Sequence, residues 1–332
     1  MKEPSIKTSL TEVTNLLPNT PPCRIFFKNE YEQPSGSFKL RGIGHLIAKS
    51  LEQIQDSEKE IHVYSSSGGN AGLAAAYSSK YYQVPCTVVL PKTSKTNVIE
   101  KLKSLNAEVI INGNHWGEAD SYLQNVIIKE LNTELIHPVY VHPFEGELLY
   151  DGHGCMIDEI VEQFNHENIP LDKVKGVVCS VGGGGLYNGI VNGLERHLEL
   201  TKVPIIAVET KQAPTFNESI RNGKIIHLKS VNTLATSLGS PYLSIKSFEN
   251  YFNHKTYLEE IDDLDSIKGV IDMFNLLQIY IEPACGTSVC IAFDKLNLLT
   301  KLNLNYDDII IIIVCGGSGI NDEVLNYYKS LL

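Results

Sequence analysis

The sequence lacks any apolar run long enough to cross a membrane, and it lacks an excess of positive charge. The longest apolar run, IIIIIVC at residues 309–315, is far shorter than the roughly 20 residues of a spanning helix, and its β-branched composition predicts a buried strand. Lysine and arginine number 28 against 39 aspartates and glutamates, which gives a net charge of −11. This acidic balance is unfavourable for binding nucleic acid or an anionic membrane surface.

Paired cysteines and a secretory leader are also missing. The seven cysteines are scattered and include no C-x-x-C pair, which argues against a disulfide framework or a zinc site. The spacing of His137, His142 and His153 matches no metal-ligand pattern. The first residues, MKEPSIKTSLTEV, do not have the basic-then-apolar order of a signal peptide, so we expect a reducing, cytoplasmic compartment.

Short apolar runs alternate with helical patterns along most of the 332 residues. Strands are predicted at 61–65, 86–90, 107–111, 139–142, 176–181, 204–209 and 308–314. Helices are predicted at 37–52, 70–81, 94–105, 116–131, 152–164, 185–198, 262–279, 285–298 and 319–331. This alternation predicts an α/β fold with helices flanking mostly parallel sheets. Because the strands form two groups, we expect two lobes with a ligand cleft between them, beyond the carboxyl ends of the strands.

A glycine run follows one of these strands in KGVVCSVGGGGLYNGIVNGL, residues 175–194. Four consecutive glycines, Gly182 to Gly185, let backbone amides converge on an anion without interference from a Cβ atom. The helix that follows adds its positive N-terminal end, so we predict a phosphate site.

The same glycine run permits a second interpretation. Gly183, Gly185 and Gly189 fit a relaxed dinucleotide fingerprint, and Glu209 closes the next strand where a ribose partner would lie. Asn188 departs from the stricter fingerprint, which has a glycine at that position. The motif alone therefore leaves the phosphate-bearing ligand open.

Two other strand ends carry small polar residues. In YSSSGGNAGLAAAY, residues 64–77, Ser67 and Asn70 lie at a predicted helix start, where backbone amides suit a small anion such as a carboxylate. In IVCGGSGIN, residues 313–321, the most apolar strand ends in Cys315.

A lysine, Lys39, occupies the first turn of the helix predicted over 37–52, with Ser35 or Ser37 as the expected N-cap. The positive helix end favours the free amine, which a Schiff base requires. A lysine for an imine, glycines for a phosphate and small polar residues for a carboxylate together predict the cofactor pyridoxal phosphate. A nicotinamide cofactor needs no lysine imine.

The motifs PSGSFKLRGIGHL, SSSGGNAGLAAAY, SVGGGGLYNGI, VET, EPACG and IVCGGS resemble those of the fold-type II pyridoxal-phosphate enzymes, which share the fold of the tryptophan synthase β subunit. From about residue 18 to about residue 330 the chain is most similar to eukaryotic L-serine/L-threonine dehydratases. The resemblance implies pyridoxal phosphate between a large domain, 1–44 with 143–332, and a small domain, 45–142. It also implies a homodimer that converts L-serine or L-threonine to pyruvate or 2-oxobutanoate plus ammonia.

The resemblance further implies roles for individual residues. Lys39 is implied as the attachment point of the cofactor and as the base that takes the substrate's α-proton. The other implied cofactor contacts are Phe38, Asn70, Gly182, Gly183, Gly184, Gly185, Leu186 and Cys315. The implied substrate contacts are Ser67, Gly68, Asn70 and Phe144. The implied ligands of a monovalent cation such as K⁺ are Gly182, Glu209, Ala213, Thr215, Leu238 and Ser240.

Two departures from the family pattern and three alternative functions stay open. Gly68 stands where related dehydratases often have alanine, a change able to alter substrate discrimination by ~1–3 kcal/mol, and Cys315 stands where many have serine. The same scaffold also supports β-replacement, as in cysteine synthases, and serine racemisation. A nucleotide-binding oxidoreductase built around residues 175–209 is the alternative from a different enzyme class.

Overall fold

Strands and helices alternate along the computed structural model, which describes residues 1–54 and 58–332. The strands are β1 (Leu10–Glu12), β2 (Arg24–Asn29), β3 (Glu60–Ser65), β4 (Cys86–Leu90), β5 (Glu108–Ile111), β6 (Ile136–Val141), β7 (Val174–Ser180), β8 (Ile205–Thr210), β9 (Thr256–Ile261) and β10 (Ile309–Val314). The α-helices are α1 (Lys39–Gln53), α2 (Asn70–Tyr82), α3 (Thr96–Ser104), α4 (Trp116–Tyr122), α5 (Glu147–His166), α6 (Gly185–Glu195), α7 (Thr215–Arg221), α8 (Ile245–Asn253), α9 (Asp263–Leu277), α10 (Pro283–Phe293) and α11 (Asp322–Lys329).

The chain divides into two units. The first comprises residues 1–6 and 33–152, and the second comprises residues 7–32 and 153–332. Segments 1–6, 33–44 and 143–152 belong to the first unit, whereas the sequence resemblance assigned them to the larger domain. The helix α1 packs along α2, a contact that the sequence motifs do not show. The assignment of family domain bounds to this chain stays a prediction.

Each unit contains one sheet. The first unit has four parallel strands in the order β5-β4-β3-β6. The second has six strands in the order β1-β2-β10-β7-β8-β9, all parallel except β1, which runs antiparallel to β2. The predicted class, an α/β fold with mostly parallel sheets flanked by helices, is confirmed.

The central strands are apolar because both faces of each sheet are covered. All six residues of β10 are buried, and so are all five residues of β4. The sequence predicted β10 from its unbroken apolar run and β4 from an apolar run that Thr87 alone interrupts. Within the described residues, no helix combines the length and apolar composition that membrane crossing requires.

Several elements escaped prediction because their sequences are short or partly polar. In β2, RIFFKN, the buried Lys28 interrupts the apolar pattern, and its ammonium pairs with Glu159 at 2.7 Å. In β9, TYLEEI, an edge strand, most residues are only half-buried. The helices α7 and α8 have seven and nine residues and follow no long apolar period.

Candidate active site

Lys39 is the first residue of α1. Its ammonium donates a hydrogen bond to the carbonyl of Pro143 and lies 5.0 Å from the centre of the Phe38 ring. The predicted N-cap at Ser35 or Ser37 is wrong, because Phe38 holds the cap position in helical conformation and without a side-chain hydrogen bond. Both serine hydroxyls are buried, and within the described part of the chain neither has a hydrogen-bond partner. They are therefore available to a bound group.

The serine-rich loop joins β3 to α2 and forms a tight turn at the helix start. The Ser67 hydroxyl accepts a hydrogen bond from the Gly69 amide at 3.2 Å. A Cβ atom on Gly72 would lie 1.7 Å from the Ser67 carbonyl oxygen, so only glycine lets α2 pack this closely on the loop. At Gly68 a Cβ atom would lie 3.2 Å from Leu90 Cδ2, so alanine there is crowded but not excluded.

A half-buried polar cluster that the sequence analysis missed holds this loop from α4. The Ser66 hydroxyl donates to Asp120 Oδ1 at 2.6 Å and accepts from Trp116 Nε1 at 3.2 Å. The Tyr140 hydroxyl donates to the same Asp120 oxygen at 2.6 Å, and Gln124 donates to the other at 2.7 Å. The available signals were weak: a triple serine and the only tryptophan of the chain.

His142 lies beside the lysine segment in a neutral form. Its Nδ1 accepts hydrogen bonds from the amides of Phe144 at 3.2 Å and Glu145 at 2.9 Å, so its proton resides on Nε2. Its ring packs edge-on against Phe144 with ring centres 4.5 Å apart. Burial lowers the pKa of His142 to about 4; the Lys39 charge also lowers it, whereas Asp120 opposes the shift.

Two glycines of the loop between β7 and α6 lie where no side chain fits. Gly184 has φ +99°, and a Cβ atom on it would lie 1.9 Å from Ser247 Oγ. A Cβ atom on Gly182 would lie 2.8 Å from the Leu238 carbonyl oxygen. Gly183 and Gly184 are buried, and the described residues offer no hydrogen-bond acceptor to their amides. These features make the loop a cradle for an anion.

Cys315 directly follows β10 in the second unit and is buried. Its sulfur lies 3.6 Å from the hydroxyl of Ser180, at the end of the neighbouring strand β7. Cys285 also hydrogen-bonds to Cys315. Burial raises the pKa of Cys285 well above its ordinary value, so Cys285 keeps its proton.

Glu209, at the end of β8, is buried at the start of α7. One carboxylate oxygen accepts from the Phe216 amide at 2.7 Å and from Thr215 Oγ1 at 3.2 Å, and the other accepts from the Asn217 amide at 2.9 Å. Burial raises the pKa of Glu209 to about 7, against the opposing effect of these hydrogen bonds. The carboxylate is thus engaged by α7, and this geometry does not suit the ribose contact that the dinucleotide alternative required.

Of the residues proposed for a cation, Thr215 contacts this carboxylate, and Gly182 and Ala213 contact Thr215. Thr215 Oγ1 lies 3.3 Å from the Gly182 carbonyl oxygen, and the Thr215 amide donates to the Ala213 carbonyl at 3.0 Å. The Ser240 amide donates to the Leu238 carbonyl at 2.7 Å, but the Ser240 hydroxyl turns to the carbonyl of Tyr242. In the described ranges no group of three or more His, Cys, Asp or Glu residues could hold a metal, so a cation here would depend on carbonyl oxygens.

Comparisons with known proteins agree on one family. The family model described as "Pyridoxal-phosphate dependent enzyme" matches residues 3–316. The catabolic L-serine/threonine dehydratase of Saccharomyces cerevisiae is 42% identical over 304 residues, which cover 91% of this chain and 84% of that protein. The L-serine dehydratase/L-threonine deaminase of Mus musculus is 34% identical over 313 residues, covering 92% and 89%. The solved structure of a fungal L-serine ammonia-lyase from Rhizomucor miehei matches with a TM-score of 0.85 at 26% identity, covering 99% of both chains.

Proposed function

Because the chain belongs to the family of pyridoxal-phosphate dependent enzymes, we propose that it is an L-serine/L-threonine dehydratase, an ammonia-lyase. It removes the α-proton and the β-hydroxyl of the amino acid and releases pyruvate or 2-oxobutanoate plus ammonia. The observation that carries the proposal is the 42% identity, over 91% of the chain, to a dehydratase of these substrates. The lysine and glycine motifs both lie inside the family match at 3–316.

Each unit, taken by itself, carries residues that fit one part of pyridoxal phosphate. The amides of Gly183 and Gly184 lack an acceptor within the described residues, which suits a phosphate, and buried hydroxyls precede Lys39. We propose that Lys39 attaches the cofactor and Phe38 packs on its ring. Asn70 bonds its ring hydroxyl. The phosphate is bound by Gly182, Gly183, Gly184, Gly185 and Leu186. When bound, the cofactor withdraws electrons from the substrate's α-carbon.

The protein's own groups then handle the substrate. The carboxylate of the amino acid binds at Ser67, Gly68 and Asn70, where the positive end of α2 favours an anion. Once it has lost the ammonium charge, Lys39 Nζ takes the α-proton; its place at the start of α1 favours that loss, and the Pro143 carbonyl orients it.

Two further groups set the outcome of the reaction. Phe144, which is 7% exposed, forms a wall for the substrate side chain. Cys315 would lie at the pyridine nitrogen of the bound cofactor, where a thiol would not stabilise a positive charge as a carboxylate would. We infer that this favours elimination over chemistry that needs a longer-lived carbanion.

The proposal includes a cation, a dimer and a compartment. A monovalent cation such as K⁺ is held by Glu209 with the carbonyl oxygens of Gly182, Ala213 and Leu238, and by Thr215 and Ser240. The active form is a homodimer in the cytoplasm, which sedimentation equilibrium of the purified protein and fluorescence imaging of a tagged chain test directly.

The experiment that tests the reaction supplies L-serine alone to the purified protein. We expect formation of pyruvate and ammonia in equal amounts, with no product from the Lys39→Ala variant. Pyruvate is measured by coupled reduction to lactate, and serine enantiomers are separated by chiral chromatography. Accumulation of D-serine without keto acid would establish a racemase instead, and turnover only with a second nucleophile would establish a β-replacement enzyme.

A further inference from the structure

We propose that Asn188, Ser244 and Ser247 are positioning residues for the cofactor's phosphate. They restrain the carbonyl groups of Gly183 and Gly184. The N–H groups of the next residues, Gly184 and Gly185, are thereby directed toward the phosphate. The inference rests on the proposed phosphate role of the glycine loop, and it does not depend on which amino acid the enzyme converts.

Asn188 is the centre of a buried polar network between α6 and α8. Its Nδ2 donates to Ser244 Oγ at 3.1 Å, while its Oδ1 accepts from Ser247 Oγ at 3.0 Å and from Asn250 Nδ2 at 3.0 Å. The two serine hydroxyls lie 2.8 Å apart. The four side chains are between 0% and 5% exposed. A buried network with its partners in place restrains the backbone to which it is attached.

The network reaches the glycine loop through two carbonyl groups. The Ser244 amide donates to the Gly183 carbonyl at 3.0 Å. The single proton of the Ser247 hydroxyl is shared between Asn188 Oδ1 at 3.0 Å and the Gly184 carbonyl at 3.3 Å, and the same carbonyl accepts from the Asn188 amide at 2.9 Å. In a planar trans peptide, the carbonyl oxygen and the N–H of the next residue point in opposite directions. Together these contacts turn the N–H groups of Gly184 and Gly185 away from Ser244 and Ser247. Such an array of successive amides is the arrangement that binds phosphate.

The close approach of Ser247 also accounts for the residue at position 184. With φ +99° and Ser247 Oγ 1.9 Å from the site of a Cβ atom, this position accepts glycine alone. The same geometry explains why position 188 carries asparagine, where the dinucleotide fingerprint has glycine. The Asn188 side chain bonds Ser247, and Ser247 in turn contacts the glycine loop.

The test compares pyridoxal phosphate with pyridoxal, which lacks the phosphate. Ser247→Ala removes the hydroxyl that bonds Gly184 and adds no bulk. We expect the Kd for pyridoxal phosphate to rise about tenfold while the Kd for pyridoxal stays unchanged. Both are measured by visible absorbance as the cofactor is added to cofactor-free protein. Asn188→Ala, a second variant, is expected to show the same selective loss.

The matched control is Tyr187→Phe. Tyr187 neighbours Asn188 on α6, but its hydroxyl pairs with Thr256 Oγ1 at 2.7 Å instead of with the loop network, so both affinities should stay at the wild-type value. If the folded Ser247→Ala and Asn188→Ala variants lose affinity equally for both ligands, or for neither, this inference is wrong while the proposed function still stands. A wild-type protein that binds no pyridoxal phosphate would overturn the proposed function together with it.

Discussion

Among single residues, two positions of the proposed site are constrained by their surroundings: one requires glycine, and one holds a histidine in its uncharged form. Gly184 approaches Ser247 more closely than any other residue type allows, and His142 stays neutral beside Lys39. Neither property follows from residue type alone, since both arise from the surroundings of the residue. Each leads to a measurable effect on stability.

Replacing Gly184 tests the close approach. Gly184→Ala forces a Cβ atom against Ser247 Oγ at a backbone angle of φ +99°. We expect the free energy of unfolding, measured in urea, to fall by about 3 kcal/mol. Gly223→Ala is the matched control, because φ is +63° there and nothing lies within 4 Å of its Cβ position. If the two variants lose equal stability, backbone strain alone explains the glycine.

The neutral state of His142 makes stability depend on pH. Its pKa is about 4 in the folded protein, against an ordinary value of 6.5. Because the unfolded chain takes up the proton first, the contribution of His142 is fully present above pH 6.5 and is lost as the pH falls through 4. We expect this acid loss to reach about 3 kcal/mol in the wild type and to be absent in His142→Asn.

The measurement is urea unfolding of the cofactor-free protein at a series of pH values. His166→Asn, which changes an exposed histidine in the last turn of α5, serves as the control and should keep the wild-type slope. An identical slope in the wild type and in His142→Asn would show that His142 is not held neutral.

At the scale of elements, the site is formed where neighbouring parallel strands end. The serine loop follows β3, and Tyr140 lies near the end of the adjacent strand β6. Asp120 on α4 bonds both, at 2.6 Å each. In the second unit the ends of β7, β8 and β10 likewise carry the glycine loop, Glu209 and Cys315. This is the edge of a parallel sheet at which ligands bind.

Asp120→Asn should loosen the serine loop. An amide retains the side-chain volume but loses the charge that strengthens the hydrogen bonds from Ser66 and Tyr140. Since the loop receives the substrate carboxylate in our proposal, we expect KM for L-serine to rise about tenfold with a smaller change in kcat. Steady-state kinetics measures both.

Asn125→Ala provides the comparison and should leave both constants unchanged. Among the described residues, the Asn125 side chain bonds the exposed Ser121 hydroxyl alone, at 3.1 Å. A fall in kcat at constant KM for Asp120→Asn would mean that Asp120 affects the chemical step and not carboxylate binding.

A cation would join three loops of the second unit, those that carry Gly182, Ala213 and Leu238. Binding to the folded state alone stabilises it. We therefore expect the Tm in KCl to exceed that in tetramethylammonium chloride at equal ionic strength by about 5 °C. Glu209→Gln removes the only negative charge among the proposed ligands and should abolish the difference. Equal melting temperatures of the wild type in the two salts would show that the protein has no specific K⁺ site.

Across the whole molecule, strands and motifs that are continuous in the sequence can be predicted from it, whereas contacts between residues far apart along the chain cannot. The strand β10 is predictable because every residue is apolar, and β4 because Thr87 alone interrupts its apolar run, whereas β9 and β2 are not predictable. Lys39, the glycine loop and Cys315 are visible because their motifs are continuous in sequence. Asp120 and Ser247 are not, because their partners Ser66 and Asn188 lie 54 and 59 residues away along the chain.

The central claim, that Lys39 carries pyridoxal phosphate covalently, has a direct test. Borohydride reduction of the purified protein loaded with pyridoxal phosphate fixes the cofactor to the lysine that holds it, and peptide mass spectrometry locates the added mass. We expect the mass on the peptide that contains Lys39, and no such mass on any peptide of the Lys39→Ala variant. A mass on another lysine, or none even with excess cofactor, would contradict it.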